Sequence, residues 1–415
     1  MPTKNSVVHF LLAGTIVALV LSPFFLSVGM FLLAGVSLIN WQSADGRTRF
    51  FIDRSAIDRL RNWRRYPALV SFSALFFVVL FSVWGMTETD YWFDRLRLRL
   101  PFLILPFLFI ALPPLSERQL RGHLYFLLIF IFITTTAVLI NYGLHFEEIQ
   151  LNIKRGQSIP MPRNHIRFSL VVALAIVCGT YLTAVRYRVF QYIDRWLVPA
   201  LTGLLFLMLH ILAVRTGLLA AYVALIFLAL RYALVKRNYL VLGLTLAAVL
   251  VLPFLAYHFV PSIRTKINYT RFDYWKNQQG EGGEYADAGR LASLEVGWEL
   301  WRENPILGTG AGGLRQAVAD RFEQRYSDRA HPLMPHNQYL YVAASTGLLG
   351  LAVFLFGFFF PLFYHKNYRY PPLLGLYVIL ATIFMIEHTI ENSLGAGYAA
   401  IFLLLFLSRL QHESS

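Results

Sequence analysis

Runs of about 20 residues with almost no charge recur along the whole chain. That feature restricts the fold more than any other. A helix rises about 1.5 Å per residue, so such a run crosses the ~30 Å hydrocarbon core of a bilayer. Twelve spans are read, near 7–26, 27–41, 67–85, 99–116, 122–144, 166–184, 196–214, 216–233, 238–258, 337–364, 371–386 and 393–410. None alternates apolar and polar residues as a barrel strand would, so all are expected as helices. The composition agrees, with 57% hydrophobic and 14% charged residues, where soluble domains carry about a quarter charged. The first segment has no clean small-residue cleavage site and a second span follows at once, so it reads as a helix rather than a signal peptide. The expected class is an all-α polytopic membrane protein with about twelve transmembrane helices.

Orientation follows from the short connections. With the N-terminus in the cytoplasm, nineteen basic residues fall in cytoplasmic segments and eight in the short loops opposite. The excess of Lys and Arg marks the inner side, so both termini are expected inside. Residues 1–258 then hold nine spans, 259–335 form one large external loop, and 336–415 hold the last three spans. The basic loop between Arg47 and Arg65 reads as an amphipathic segment on the cytoplasmic surface, chiefly a topology anchor. The single cysteine, Cys178, lies within a span and allows neither a disulfide within the chain nor a cysteine metal site. The net charge of +14 reflects anchoring arginines at anionic lipid rather than a nucleic-acid partner.

The external loop is where a site has room. "RLASLEVGWELWRENP" sets Leu291, Leu294, Trp298 and Trp301 at helical spacing, an amphipathic helix expected on the membrane surface. "NQQGEGGEYADAG" before it reads as a polar turn, and "NPILGTGAGG" after it stops the helix. A second amphipathic helix follows through Leu314, Val318 and Phe322. From Trp196 to Leu230 the chain is nearly all apolar, too long for one crossing, and "RTG" is the natural break. Arg215 at that break is either a snorkelling interface arginine or a fixed cation for an anionic ligand near the headgroups. Further external cations are Arg155, Arg163, His165 and Arg167, with Arg264, Arg271 and Arg290 in the large loop. Guanidinium forks match phosphate oxygens, so a lipid with a phosphate or pyrophosphate head is the ligand such a set suits. "HPLMPHNQYL" leads into a span with Asn337 placed to cap it. His336 there reads either as an interfacial histidine or as a general base. "FMIEHTIENSLGAG" reads as a solvated hairpin tip, with a carboxylate orienting a catalytic histidine as the alternative. No P-loop, H-E-x-x-H or adjacent Asp-x-Asp pair is found, so no metal ligand is assigned.

Arg215–Gly217, Trp298 to Gly310 and His336 to Gly350 resemble, in order and spacing, the O-antigen ligase and polymerase superfamily. The similarity covers about residues 195–365. It implies a GT-C-like membrane glycosyltransferase whose large loop is periplasmic, in the inner membrane of a Gram-negative bacterium. The family transfers glycan from undecaprenyl pyrophosphate, and its ligase branch uses the lipid A–core sugar as acceptor. The resemblance further implies inverting transfer without metal or nucleotide cofactor, in a chain expected to act as a monomer among membrane lipids. It carries roles onto Arg215, Arg290 and His336, with His336 as base and arginines on the pyrophosphate. Arg155, Arg163, Arg264 and Arg271 join that anion set, although "PRNH" departs from the Pro-Asn pattern expected near Arg163. A single long external loop favours a ligase over a polymerase, and a protein O-oligosaccharyltransferase is close behind. A flippase or transporter would place ionisable residues at mid-bilayer and show repeat symmetry, and neither is visible here.

Overall fold

The computed structural model describes residues 3–44, 47–279, 286–326 and 331–414. Residues 280–285, the middle of the polar turn expected before the Trp-rich helix, and residues 327–330 lie outside that set, while the two ends of that expected turn are helical in α13 and α14. The chain opens with helices α1 (Lys4–Leu21) and α2 (Pro23–Leu38), followed by strands β1 (Ile39–Ala44) and β2 (Arg47–Ile52). Then come α3 (Arg54–Arg61), α4 (Pro67–Val70), α5 (Ala74–Leu80), α6 (Thr89–Ala111), α7 (Glu117–Leu144) and α8 (Phe146–Lys154). The middle holds α9 (His165–Ala184), α10 (Gln191–Leu212), α11 (Arg215–Lys236) and α12 (Tyr239–Phe259). The large loop contributes α13 (Pro261–Gln278), α14 (Ala286–Glu303) and α15 (Leu314–Arg325). The last three are α16 (Gln338–Phe363), α17 (Pro371–Phe384) and α18 (Ser393–Ser414).

Among the described residues, eight helices are long and apolar enough to cross a membrane, and the protein is a multi-pass membrane protein. Three shorter apolar helices, at Pro23–Leu38, Pro67–Leu80 and Pro371–Phe384, occupy other expected spans. The span expected at 99–116 is the later part of α6, which starts at Thr89 and so draws Arg95 and Arg99 into a helix. The second expected span ends early, because Ile39–Ala44 pairs antiparallel with Arg47–Ile52. "INWQSA" and "RTRFFI" are too short and too polar to extend a membrane helix, and pairing satisfies their backbone groups instead.

α9 and α18 form the centre: 83% of each apolar window is buried, against 6% for α12 at the edge. Apolar side chains gain little by leaving lipid for one another, so close approach through small residues must hold the helices together. α9 shows this against three neighbours. Gly179 faces Thr202 of α10, Gly217 of α11 faces Ser169, and Gly375 of α17 faces Val177.

Outside the bundle, α14 and α15 share a second core of Val296, Leu300, Leu314, Val318 and Phe322, which continues onto Tyr341 and Ala344 of α16. The α15 face is the one read from the sequence. On α14, Leu291 and Trp298 of the stripe read for the membrane surface are each 50% exposed, and the face packed on protein is Ala292, Ser293, Val296, Gly297 and Leu300. Small residues win the inner face because α14 lies against the chain entering α16, where a Cβ on Gly297 would collide with Pro335.

The turn after α14 plugs into a break in α16. Gly347 has φ 63° and ψ −167°, a region that is essentially open to glycine alone. The break exposes α16 backbone groups, and the turn satisfies them. Thr309 N–H donates to Ala344 O at 2.9 Å, and Leu348 N–H to Pro305 O at 2.8 Å. On its other side the turn meets the chain before α6, where Trp84 Nε1 donates to Leu307 O at 2.7 Å. Gly347→Ala is therefore expected to lower stability by about 1–3 kcal/mol. Thermal unfolding of the detergent-purified protein measures this. Gly143→Ala, where an added Cβ meets nothing within 4 Å, should leave the midpoint unchanged or raise it.

Candidate functional site

His336 precedes Asn337, whose side chain accepts from Leu340 N–H at 2.9 Å and caps α16 as its type and position suggest. The backbone N–H of His336 donates to Ser293 Oγ of α14 at 3.2 Å. The histidine is thus fixed from two helices before its ring is considered. Its Nδ1 lies 3.3 Å from Glu387 Oε2. The other oxygen of that carboxylate accepts from Arg290 Nη2 of α14 at 2.7 Å. One carboxylate, from the loop between α17 and α18, bridges the histidine and the arginine.

The solvated hairpin tip expected at 387–391 is overturned. Glu387 is 3% exposed and Glu391 7%. α6 explains the second acid: Arg95 and Arg99, four residues apart, share one helical face. Arg99 pairs with the Glu391 carboxylate, and Arg95 Nη1 donates to Glu391 O at 2.9 Å. Gln338, at the start of α16, clamps the same loop. Its Nε2 donates to Glu391 Oε1 at 2.7 Å, and its Oε1 accepts from Ile390 N–H at 3.0 Å. Between the two acids, the His388 ring meets His336 edge-on at 5.1 Å and stacks on Tyr341 at 5.8 Å.

Burial pushes the Glu387 carboxyl up, but the His336 hydrogen bond and the Arg290 and Arg167 charges outweigh it and hold it below the usual carboxylate range. Burial, reinforced by His336, holds His388 below the ordinary histidine value against the pull of Glu391 and Glu387. Glu387 is thus kept as an anion and His388 as a neutral ring.

Arg215 begins α11, and the long apolar run breaks where expected, with Ala213 left-handed at φ 52°. Its Nη1 donates to Thr270 Oγ1 of α13 at 3.2 Å. Arg290 is drawn into the bridge with His336. The other cations read from the sequence lie elsewhere. Arg264 turns back onto the carbonyls of Tyr257 and His258, capping α12. Arg163 Nε donates to Leu21 O at the end of α1 at 3.1 Å. Arg155 and Arg271 are exposed, at the end of α8 and on α13. Arg167 is different: it acts electrostatically on Glu387, and its Nε is buried with no hydrogen-bond partner among the described residues.

His336, Glu387 and His388 present ligand atoms within 4.8 Å of one another, a spacing that could hold a metal ion. Both Glu387 oxygens are already engaged, by Arg290 and His336, and Arg167 adds positive potential. That environment suits an incoming anion better than a cation.

Residues 200–355 match the family model described as O-antigen ligase. The resemblance drawn from the sequence is borne out, and an O-antigen ligase or polymerase type of activity is supported in general terms. No curated protein matches the chain. The matched segment includes Arg215, Arg290 and His336 and ends before Glu387, His388 and Glu391. Sequence reading missed Arg95, Arg99, Gln338 and Glu391 as partners. The available signals were the four-residue spacing of two arginines at a helix start and two acids in an otherwise apolar C-terminal region.

Glu387→Gln should destabilise the protein by about 1–3 kcal/mol at pH 7, since Arg290 and His336 lose their shared anion. Because the Glu387 value is lowered, its contribution is complete above 4.5 and is lost as pH falls through the lowered value. His388 is also lowered, so the unfolded chain takes that proton first and acid again favours unfolding. Wild-type stability should therefore decline from about pH 6.5 downward, and the Glu387→Gln difference should shrink in the carboxylate range. Unfolding midpoints measured across pH for both proteins check this.

Proposed function

We propose that the protein is an O-antigen ligase, moving O-antigen polysaccharide from undecaprenyl pyrophosphate to the lipid A–core sugar. The carrying observation is the bridge in which Glu387 holds His336 at 3.3 Å and Arg290 at 2.7 Å. The reading takes the 259–335 loop as periplasmic and the membrane as the bacterial inner membrane. With Nδ1–H donated to Glu387, the Nε2 of His336 is left to accept a proton. An acceptor hydroxyl gives its proton to Nε2 while its oxygen attacks the anomeric carbon. The bond from that carbon to the pyrophosphate oxygen breaks, and the leaving group takes the electron pair. One displacement inverts the anomeric centre.

Pyrophosphate needs charge stabilisation rather than protonation. Fixed guanidinium groups supply it. Arg215 and Arg290 fill that role, with Arg167 adding field from α9. Arg155, Arg163, Arg264 and Arg271 are assigned the weaker role of drawing phosphate headgroups toward the external face. The transfer is written without metal, because arginines take the charge a divalent ion would otherwise neutralise. A ligase is preferred over a polymerase because a single long loop carries α13, α14 and α15.

The test uses purified protein, a polyprenyl-pyrophosphate glycan and lipid A–core, with EDTA present. Wild type should transfer glycan with inversion, and His336→Ala should be slower by about 10²–10⁴-fold while still binding donor. Arg215→Ala should raise the donor KM. Full transfer by His336→Ala, or loss of wild-type transfer in EDTA, contradicts the mechanism. Growth of lipid-linked glycan from donor alone would identify a polymerase instead.

A further inference from the structure

A groove of about 620 Å³ runs between α11 and α17, lined by Phe227, Leu230 and Leu374 with Arg231, Tyr368 and Arg369 at its rim. Arg231 lies sixteen residues after Arg215 on one helix, about 24 Å along its axis. If Arg215 stands at one headgroup layer, Arg231 stands close to the other. The groove therefore opens toward the leaflet opposite His336, and it plays no part in the transfer described above.

Its charge is one-sided. Arg231 Nη2 donates to the backbone carbonyl of Arg369, which brings the two guanidinium groups to the same rim. The segments 231–238 and 364–374 contain no Asp or Glu, and among the described residues none lines the groove. The backbone adds a second observation. Arg237, His365 and Lys366 have φ of 51°, 47° and 63°. Non-glycine residues adopt that region only infrequently. The two connections flanking the groove therefore keep basic side chains at positions where glycine would be less strained. An apolar trough ending in two arginines, at headgroup depth, matches a ligand with an acyl chain and a phosphate. Each such cation near a membrane surface favours anionic lipid by about fivefold.

We propose that this groove binds an anionic phospholipid. An acyl chain lies along Phe227, Leu230 and Leu374, and the phosphodiester sits between Arg231 and Arg369. The test is native mass spectrometry of the delipidated full chain, titrated with phosphatidylglycerol or phosphatidylcholine. Phosphatidylglycerol should be retained at least about tenfold better. The Arg231→Gln, Arg369→Gln double variant should lose that preference, whereas Arg186→Gln, at a separate cavity, should keep it. Leu374→Trp fills the trough without removing charge and should also lose retention, which keeps the test decisive if the double variant misfolds. Equal retention of the two lipids, or an unaltered preference in Leu374→Trp, overturns the proposal. Displacement of phosphatidylglycerol by inorganic phosphate alone also overturns it, since the site would then take free phosphate.

Discussion

The Glu387 carboxylate is the point on which the site depends. A buried carboxylate is expensive unless both oxygens are engaged by donors or cations. Here one oxygen takes Arg290 at 2.7 Å and the other faces His336 Nδ1 at 3.3 Å. Those partners come from α14 and from the entry to α16, while the acid comes from the loop between α17 and α18. The three segments are far apart in the chain, and the charge requirement of one side chain holds them in register.

Two other features keep that register. The first is the glycine-allowed break at Gly347, into which the turn after α14 inserts its backbone groups. The insertion fixes α14 against α16, and the approach of Gly297 to Pro335 sets Ser293 under the His336 amide. The second is Glu391, held by Arg95, Arg99 and Gln338. It anchors the far end of the loop that carries Glu387. Around the two acids stand Arg290, Arg167, Arg95 and Arg99, so local positive charge exceeds negative. An anionic leaving group would meet a potential already in place, without reorganisation at the moment of reaction.

Much of this was legible in the sequence, and the reasons it stopped where it did are physical. Apolar run length identified the long membrane helices, and excess length located the break before Arg215. Asn337 was readable as a cap because its amide and position suit one. The α15 stripe was readable because Leu314, Val318 and Phe322 pack as large apolar residues usually do. On α14 the same rule picks out the outer stripe and is silent on the inner one. The inner face is built from small residues that permit close backbone approach, which leaves Leu291 and Trp298 outside. The acids at 387 and 391 looked solvated because local sequence does not reveal partners supplied by α6 and α14. The β1–β2 hairpin was hidden inside a segment taken as helix and surface anchor.

The most direct measurement is a double-mutant cycle on the single-turnover transfer rate, combining Glu387→Gln with His336→Ala. If the carboxylate holds the histidine as well as Arg290, Glu387→Gln slows the wild type several-fold more than it slows His336→Ala, and the smaller remaining loss passes through Arg290. The coupling is then a large part of the effect of the single Glu387→Gln change. Independent, multiplicative losses would contradict the account, because no part of the Glu387 effect would then pass through His336.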